Sequence, residues 1–217
     1  MDRQKLDQNR LAVARHAADL FWQNGVEKTS GDAIAAAAGL SKRTVWRYFR
    51  SKEACIEPLF RITGLRFIEL LQNWPDHQSI ETYLHDSLGS MLKSDQDIRD
   101  GIAVARLISR ITSEPAIRSA YLMASAEAED DLVPILARRS GRRCDDIDVR
   151  VCAASAMAAV RVIDADISIA TFSQGRVFTH AEVCSRLAAA IRSVASLPVC
   201  DPVSSSDDAS SHRRNPE

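Results

Sequence analysis

"SGDAIAAAAGLSKRTVWRYF", residues 30–49, contains two short helical segments separated by three residues. Ser30 is suited to cap the first by accepting an amide hydrogen bond. Asp32 complements the positive end of its dipole, and Gly39 ends it. The second segment covers residues 42–49, so Gly39, Leu40 and Ser41 form the link. That is the spacing of a helix-turn-helix, and the inner positions agree with it. Ala35 is small enough for close helix approach, Gly39 permits a left-handed turn, and Leu40, Val45 and Phe49 share an inward face.

What remains outside on the second segment is basic and aromatic: Lys42, Arg43, Thr44, Trp46 and Arg47, with Tyr48 beside them. Arg and Lys can donate to guanine acceptors in a major groove. A threonine hydroxyl or methyl can meet phosphate or thymine, and indole and phenol groups can donate to phosphate oxygens. Lys52 adds a cation at the start of the next helix, where free amides favour an anion. Residues 1–52 hold ten Lys or Arg against five Asp or Glu, whereas residues 53–217 hold 18 against 24. The small overall charge of −1 therefore hides a basic N-terminal block of the kind that binds a polyanion.

Outward from this stretch the apolar period stays helical. Leu11, Ala14, Ala18 and Phe21 draw a stripe that ends at Gly25, and further helices are predicted at about 52–73, 79–93, 97–112, 115–139, 146–172 and 179–196. Pro75, the proline of "TSEP", "RSGRR" and "SQGR" mark the breaks between them. The fold class is all-α with about nine helices. Residues 198–217, rich in Ser, Asp and Pro, are expected to be a disordered tail in which Cys200 is exposed. No apolar run is long enough for a bilayer span and the N-terminus has no signal-peptide core, which points to the cytoplasm and to no membrane partner.

Enzyme chemistry finds little purchase. Five scattered cysteines and five histidines show no metal spacing, no glycine-rich phosphate loop occurs, and no nucleophile has a recognisable setting. Neither a metal nor a cofactor is expected.

Residues 17–60, "AADLFWQNGVEKTSGDAIAAAAGLSKRTVWRYFRSKEACIEPLF", resemble the N-terminal domain of the tetracycline-repressor (TetR/AcrR) regulators. The resemblance implies a helix-turn-helix DNA-binding domain at 1–51 and a helical effector-binding and dimerisation domain at 52–197. It implies a transcriptional regulator, a repressor released from a palindromic double-stranded operator by a small molecule, acting as a homodimer. By position the candidate DNA contacts are Thr29, Ser30, Ser41, Lys42, Arg43, Thr44, Trp46, Arg47, Tyr48 and Lys52. Two residues depart from the family pattern. Gly31 stands where a β-branched residue is usual, which should weaken that helix start, and Trp46 replaces a tyrosine, so an indole donor must take over or the contact is lost.

The long helices at 146–172 and 179–196 are dominated by small apolar residues and suit a four-helix interface between two copies. Polar or adaptable residues that interrupt apolar stripes are the candidate ligand contacts: Arg66, Tyr83, Met91, Arg106, Tyr121, Met157 and Arg161. An arginine inside an apolar helix needs a partner, for which Asp164 is the nearest choice, or a ligand anion. The alternative reading is a helical ligand-binding or interaction module that keeps the helix-turn-helix only as scaffold.

Overall fold

The computed structural model describes residues 3–203, and those residues form nine α-helices, three short 3-10 turns and no strand. In chain order the helices are α1 (Arg3–Asn24), α2 (Gly31–Ala37), α3 (Lys42–Tyr48), α4 (Glu57–Gln72), α5 (Ile80–Ser87), α6 (Asp95–Ile108), α7 (Pro115–Ser140), α8 (Ile147–Gln174) and α9 (His180–Val194). None is long and apolar enough to cross a membrane.

Local chemistry accounts for the boundaries. Ser30, Ser41, Ser79, Ser94, Asp146 and Thr179 each accept an amide hydrogen bond at a helix start, and Ser94 with Asp97 and Thr179 with Glu182 complete capping boxes. Gly25, Gly141 and Gly175 close α1, α7 and α8 with positive φ. Two of the predicted helices are interrupted. The stretch from residue 52 opens as a 3-10 turn, Glu53–Ile56, and the α-helix starts only with Pro58 in its first turn, because proline has no amide to continue an incoming helix. The stretch 79–93 leaves α-geometry at Leu88, where Gly89 and Ser90 favour a tighter turn through Met91.

Burial divides into two apolar clusters. One joins Val13, Ala17 and Phe21 of α1 to Ile34, Val45 and Phe49, and also takes in Leu107 and Ile108 of α6 and Ile117 and Tyr121 of α7. The other is built from the far half of α4 with α5, the far half of α7, α8 and α9. The first cluster thus crosses the boundary expected at residue 51. A polar clasp runs beside it: Arg15 grips Asp100 of α6 at 2.7 and 3.0 Å, while Gln96 and Arg66 also donate to that carboxylate.

Residues 198–200 do not belong to the expected tail but form a 3-10 turn. Val199 and Cys200 are buried against the second cluster, and Arg139, itself buried, holds that segment by donating to the carbonyls of Val199 and Asp201 as well as Pro75 and Gln78. Its guanidinium lies 3.5 Å from the Trp74 ring centroid. Four carbonyls and an aromatic face replace the water that this cation loses. Cys200 is therefore a core residue and not an exposed one, and residues 204–217 lie outside the described part.

Candidate nucleic-acid interface and effector cavity

The helix-turn-helix is held by its inward residues. Val45 and Ile34 are fully buried, Ala35 and Phe49 nearly so, and Gly39 makes the turn at φ +64° with the Leu40 amide donating to Ala35. That packing leaves α3 with one outward face, on which Ser41, Lys42, Arg43, Trp46 and Arg47 are exposed and Thr44 and Tyr48 half-exposed. Ser41 caps the helix through the Thr44 amide, and its hydroxyl also meets that of Thr44 at 2.8 Å. Arg47 lies 5.3 Å from the Tyr48 ring centroid, and Lys42 pairs with Asp32 at 2.8 Å between two exposed side chains. An exposed pair of this kind is worth little and yields to a phosphate. Ser30 is likewise exposed, its hydroxyl accepting from Ala33 as the α2 cap.

Two of the sequence-predicted contacts have other work. Thr29 is only 2% exposed, and its hydroxyl is directed to the carbonyls of Leu20 and Gly25, where it ties the end of α1 to the start of α2. The Lys52 ammonium donates to the carbonyls of Val26, Glu27 and Thr29 at 2.8, 3.2 and 2.9 Å. With three N–H groups on three carbonyls it fastens the α1–α2 turn and has no donor left for a phosphate. No local pattern signals this, since both residues match by position and the carbonyls they meet belong to other segments.

The two departures noted in the sequence meet in space. Gly31 is outside the left-handed region, so its backbone does not require glycine. A Cβ there would nevertheless lie 2.6 Å from Cη2 of the Trp46 indole and nearer still to Cζ2. The larger ring on α3 occupies the space that a side chain on α2 would fill.

A cavity of about 210 Å³ lies among α4, the turn at Leu88–Met91, α6, α7 and α8. Of the candidate ligand contacts, Met91, Tyr121, Met157 and Arg161 line it, together with Asp164 and the rings of Phe60 and Phe67. The other expected contacts do not. Arg66 is paired with Asp97 at 2.5 Å and with Asp100 at 3.3 Å; Tyr83 is buried with its hydroxyl on the Leu70 carbonyl; Arg106 lies over Trp22 and Phe172. Each interrupts an apolar stripe because it meets a partner within the fold, which a one-dimensional pattern cannot tell from a ligand contact. Asp164, one partner the sequence offers an arginine inside an apolar helix besides a ligand anion, does not pair with one among the described residues. Instead it accepts from the Tyr121 hydroxyl at 3.1 Å, and among the described residues no cation lies within 4.0 Å of it. Burial raises its carboxyl to about 6, with the Tyr121 hydrogen bond pulling the other way.

Residues 15–59 match the family described as bacterial regulatory proteins, tetR family. Over 150 residues the chain is 31% identical to the HTH-type transcriptional regulator TcmR of Streptomyces glaucescens, the match covering 65% of each chain, slightly under two thirds of that relative. The whole fold is similar to that of Salmonella enterica GusR, with a TM-score of 0.54 at 20% identity over 85% of this chain and 96% of that one. It is also similar to a tetR-family transcriptional regulator from Streptomyces coelicolor, with a TM-score of 0.56 at 16% identity over 89% and 82%. A third likeness is to the regulator FadR of Bacillus subtilis, solved in complex with stearoyl-CoA, at a TM-score of 0.51 and 18% identity over 86% and 97%. In sequence the helix-turn-helix segment matches the tetR family of bacterial regulatory proteins, and in fold the all-helical body is similar to a solved tetR-family regulator.

Proposed function

We propose that this protein is a cytoplasmic, sequence-specific DNA-binding transcriptional regulator, a repressor that leaves a palindromic operator when a small molecule enters the α4–α8 cavity. The observation that carries the reading is the outward face of α3, where Arg43, Trp46 and Arg47 are exposed on a helix whose other face is fully packed. Arg43 and Arg47 read base edges, and Ser30, Ser41, Lys42, Thr44, Trp46 and Tyr48 position the helix on phosphates. Residues 1–51 form the reading unit and 52–197 the regulatory and dimerising unit.

The dimer is supported by α8, where Ile147, Val151 and Val162 are exposed by 64, 50 and 67% at intervals that keep them on one helix face. Val194 on α9 is exposed too. Pairing these faces about a two-fold axis buries them and sets two copies of α3 at the separation of one DNA turn, about 34–36 Å. Coupling to the cavity is supported by α6. Its Val104 and Ile108 line the cavity, while its Asp100 holds Arg15 of α1 and the following Arg110 lies 4.6 Å from the Trp22 ring centroid. A ligand that displaces α6 acts directly on the helix that carries the reading unit, and it shifts DNA affinity only by its differential affinity for the two arrangements.

The test is selection of bound duplexes from a random pool by the purified protein, followed by titration of the selected duplex at two salt concentrations. A palindromic consensus bound by two chains with a steep salt dependence is expected. Recovery of no consensus, with weak binding alone, would favour a module that keeps the helix-turn-helix as scaffold.

A further inference from the structure

The cavity wall is apolar except for five polar side chains, and three of these have their protons committed. Thr63 donates to the backbone of Leu59 or Phe60, Ser125 to the Tyr121 carbonyl at 2.8 Å, and Tyr121 to Asp164. What is left to address a ligand is the second carboxylate oxygen of Asp164 and the guanidinium of Arg161, three residues apart on α8. Residues at that spacing lie on one helix face, with Cβ atoms about 5–6 Å apart. The structure gives Arg161 no hydrogen-bond partner among the described residues, and the two opposite charges do not meet.

We propose that the cavity takes an uncharged, ring-bearing apolar ligand that carries a hydroxyl group donating to Asp164 and a carbonyl oxygen accepting from Arg161. The proposal rests on the reading of this cavity as the effector site and specifies its ligand. An organic anion would satisfy Arg161 but bring a second negative charge beside Asp164. An amine would satisfy Asp164 and leave Arg161 facing a cation. A hydroxy-ketone meets both groups and adds no charge, and once a ligand fills the cavity each polar group left without a partner is costly. The rings of Phe60 and Phe67 and the adaptable side chains of Met91 and Met157 suit the flat apolar remainder. The raised Asp164 carboxyl agrees with this, since a group short of charge compensation accepts a hydroxyl donor readily.

The experiment is calorimetric binding of a tetralin series to the full-length protein: the parent hydrocarbon, its ketone, a hydroxy-ketone, a carboxylate and a primary amine. The hydroxy-ketone should bind at least about tenfold more tightly than the hydrocarbon. That advantage should fall severalfold in Asp164→Leu and in Arg161→Met. Asp164→Asn keeps the shape and an acceptor oxygen, and serves if the leucine variant does not fold: it should improve carboxylate binding and weaken amine binding. Tightest binding by the carboxylate or the amine overturns the proposal, as does a hydroxy-ketone preference that none of the variants alters, or no binding by any member. DNA release is read separately. Selective hydroxy-ketone binding that leaves operator affinity unchanged keeps the ligand class and refutes the effector reading.

Discussion

Replacing Gly31 tests how the recognition helix is set on its neighbour. A threonine there needs no unusual backbone, because Gly31 lies outside the left-handed region, and it restores a β-branched residue at the start of α2. Its Cβ, however, would sit 2.6 Å from Cη2 of Trp46, so the indole must leave its seat. Trp46 is 39% exposed, which gives the ring room to swing outward at a rotamer cost of about 0.5–1.5 kcal/mol. Global stability should therefore change little. DNA binding should change more, because an indole donor moved off its phosphate forfeits a hydrogen bond to a charged group, about 1.5–3 kcal/mol, or roughly a 10- to 150-fold rise in Kd. Trp46→Tyr alone should also weaken binding by leaving Gly31 uncovered. The double substitution should recover most of the loss, with a coupling of about 1–2 kcal/mol in a double-mutant cycle. The assay is anisotropy of a labelled operator duplex, with urea unfolding as a control on folding. If Gly31→Thr leaves Kd unchanged, or if the two effects add to within about 0.5 kcal/mol, the two positions are independent and the reasoning is wrong.

Three other substitutions address groups that the fold has taken for itself. Lys52→Met should lower unfolding free energy by about 1–2 kcal/mol, because three carbonyls of the α1–α2 turn lose their donor, and urea denaturation would show it. An unchanged midpoint with DNA affinity reduced on every sequence would return Lys52 to the phosphate role. Asp100→Ala should cost about 3 kcal/mol by leaving Arg15 and Arg66 without their shared carboxylate. Burial opposes ionisation of Asp100, but hydrogen bonds from Arg15, Gln96 and Arg66 outweigh it and hold its pKa below the ordinary value. Its contribution is thus complete above the unfolded pKa near 4 and lost as pH falls through the folded one, so the variant should flatten the acid limb of the stability curve. Asp164 has the opposite sign: with its carboxyl raised to about 6, the wild type loses stability as pH climbs from about 4 to about 6. Asp164→Asn should be more stable than wild type at pH 7.5, by up to about 3 kcal/mol, and lose that advantage at pH 4. Equal melting temperatures at both values would contradict the raised carboxyl.

Much of this molecule is determined locally. Helix starts at Ser30 and Ser41, the turn at Gly39 and the inward face of Val45 and Phe49 are readable because each depends on residues within a few positions. The exposed basic face of α3 follows once the inward face is known. Short-range rules also missed where local geometry changes, at Pro58 and at Gly89, since apolar periodicity continues across both.

Tertiary structure alone decided which polar residues are available. Lys52 and Thr29 match DNA-contacting positions in the chain, yet their donors meet carbonyls brought close by packing of the α1–α2 turn. Arg66, Tyr83 and Arg106 look like ligand contacts in sequence and instead meet Asp97 and Asp100, the Leu70 carbonyl and two aromatic rings from distant helices. Gly31 and Trp46 look like two separate departures until the ring is seen resting on the glycine. Helix period and caps are encoded by near neighbours, so the sequence determines them. The partner of a buried donor or charge comes from whichever segment folds against it, and only the packed chain contains that information.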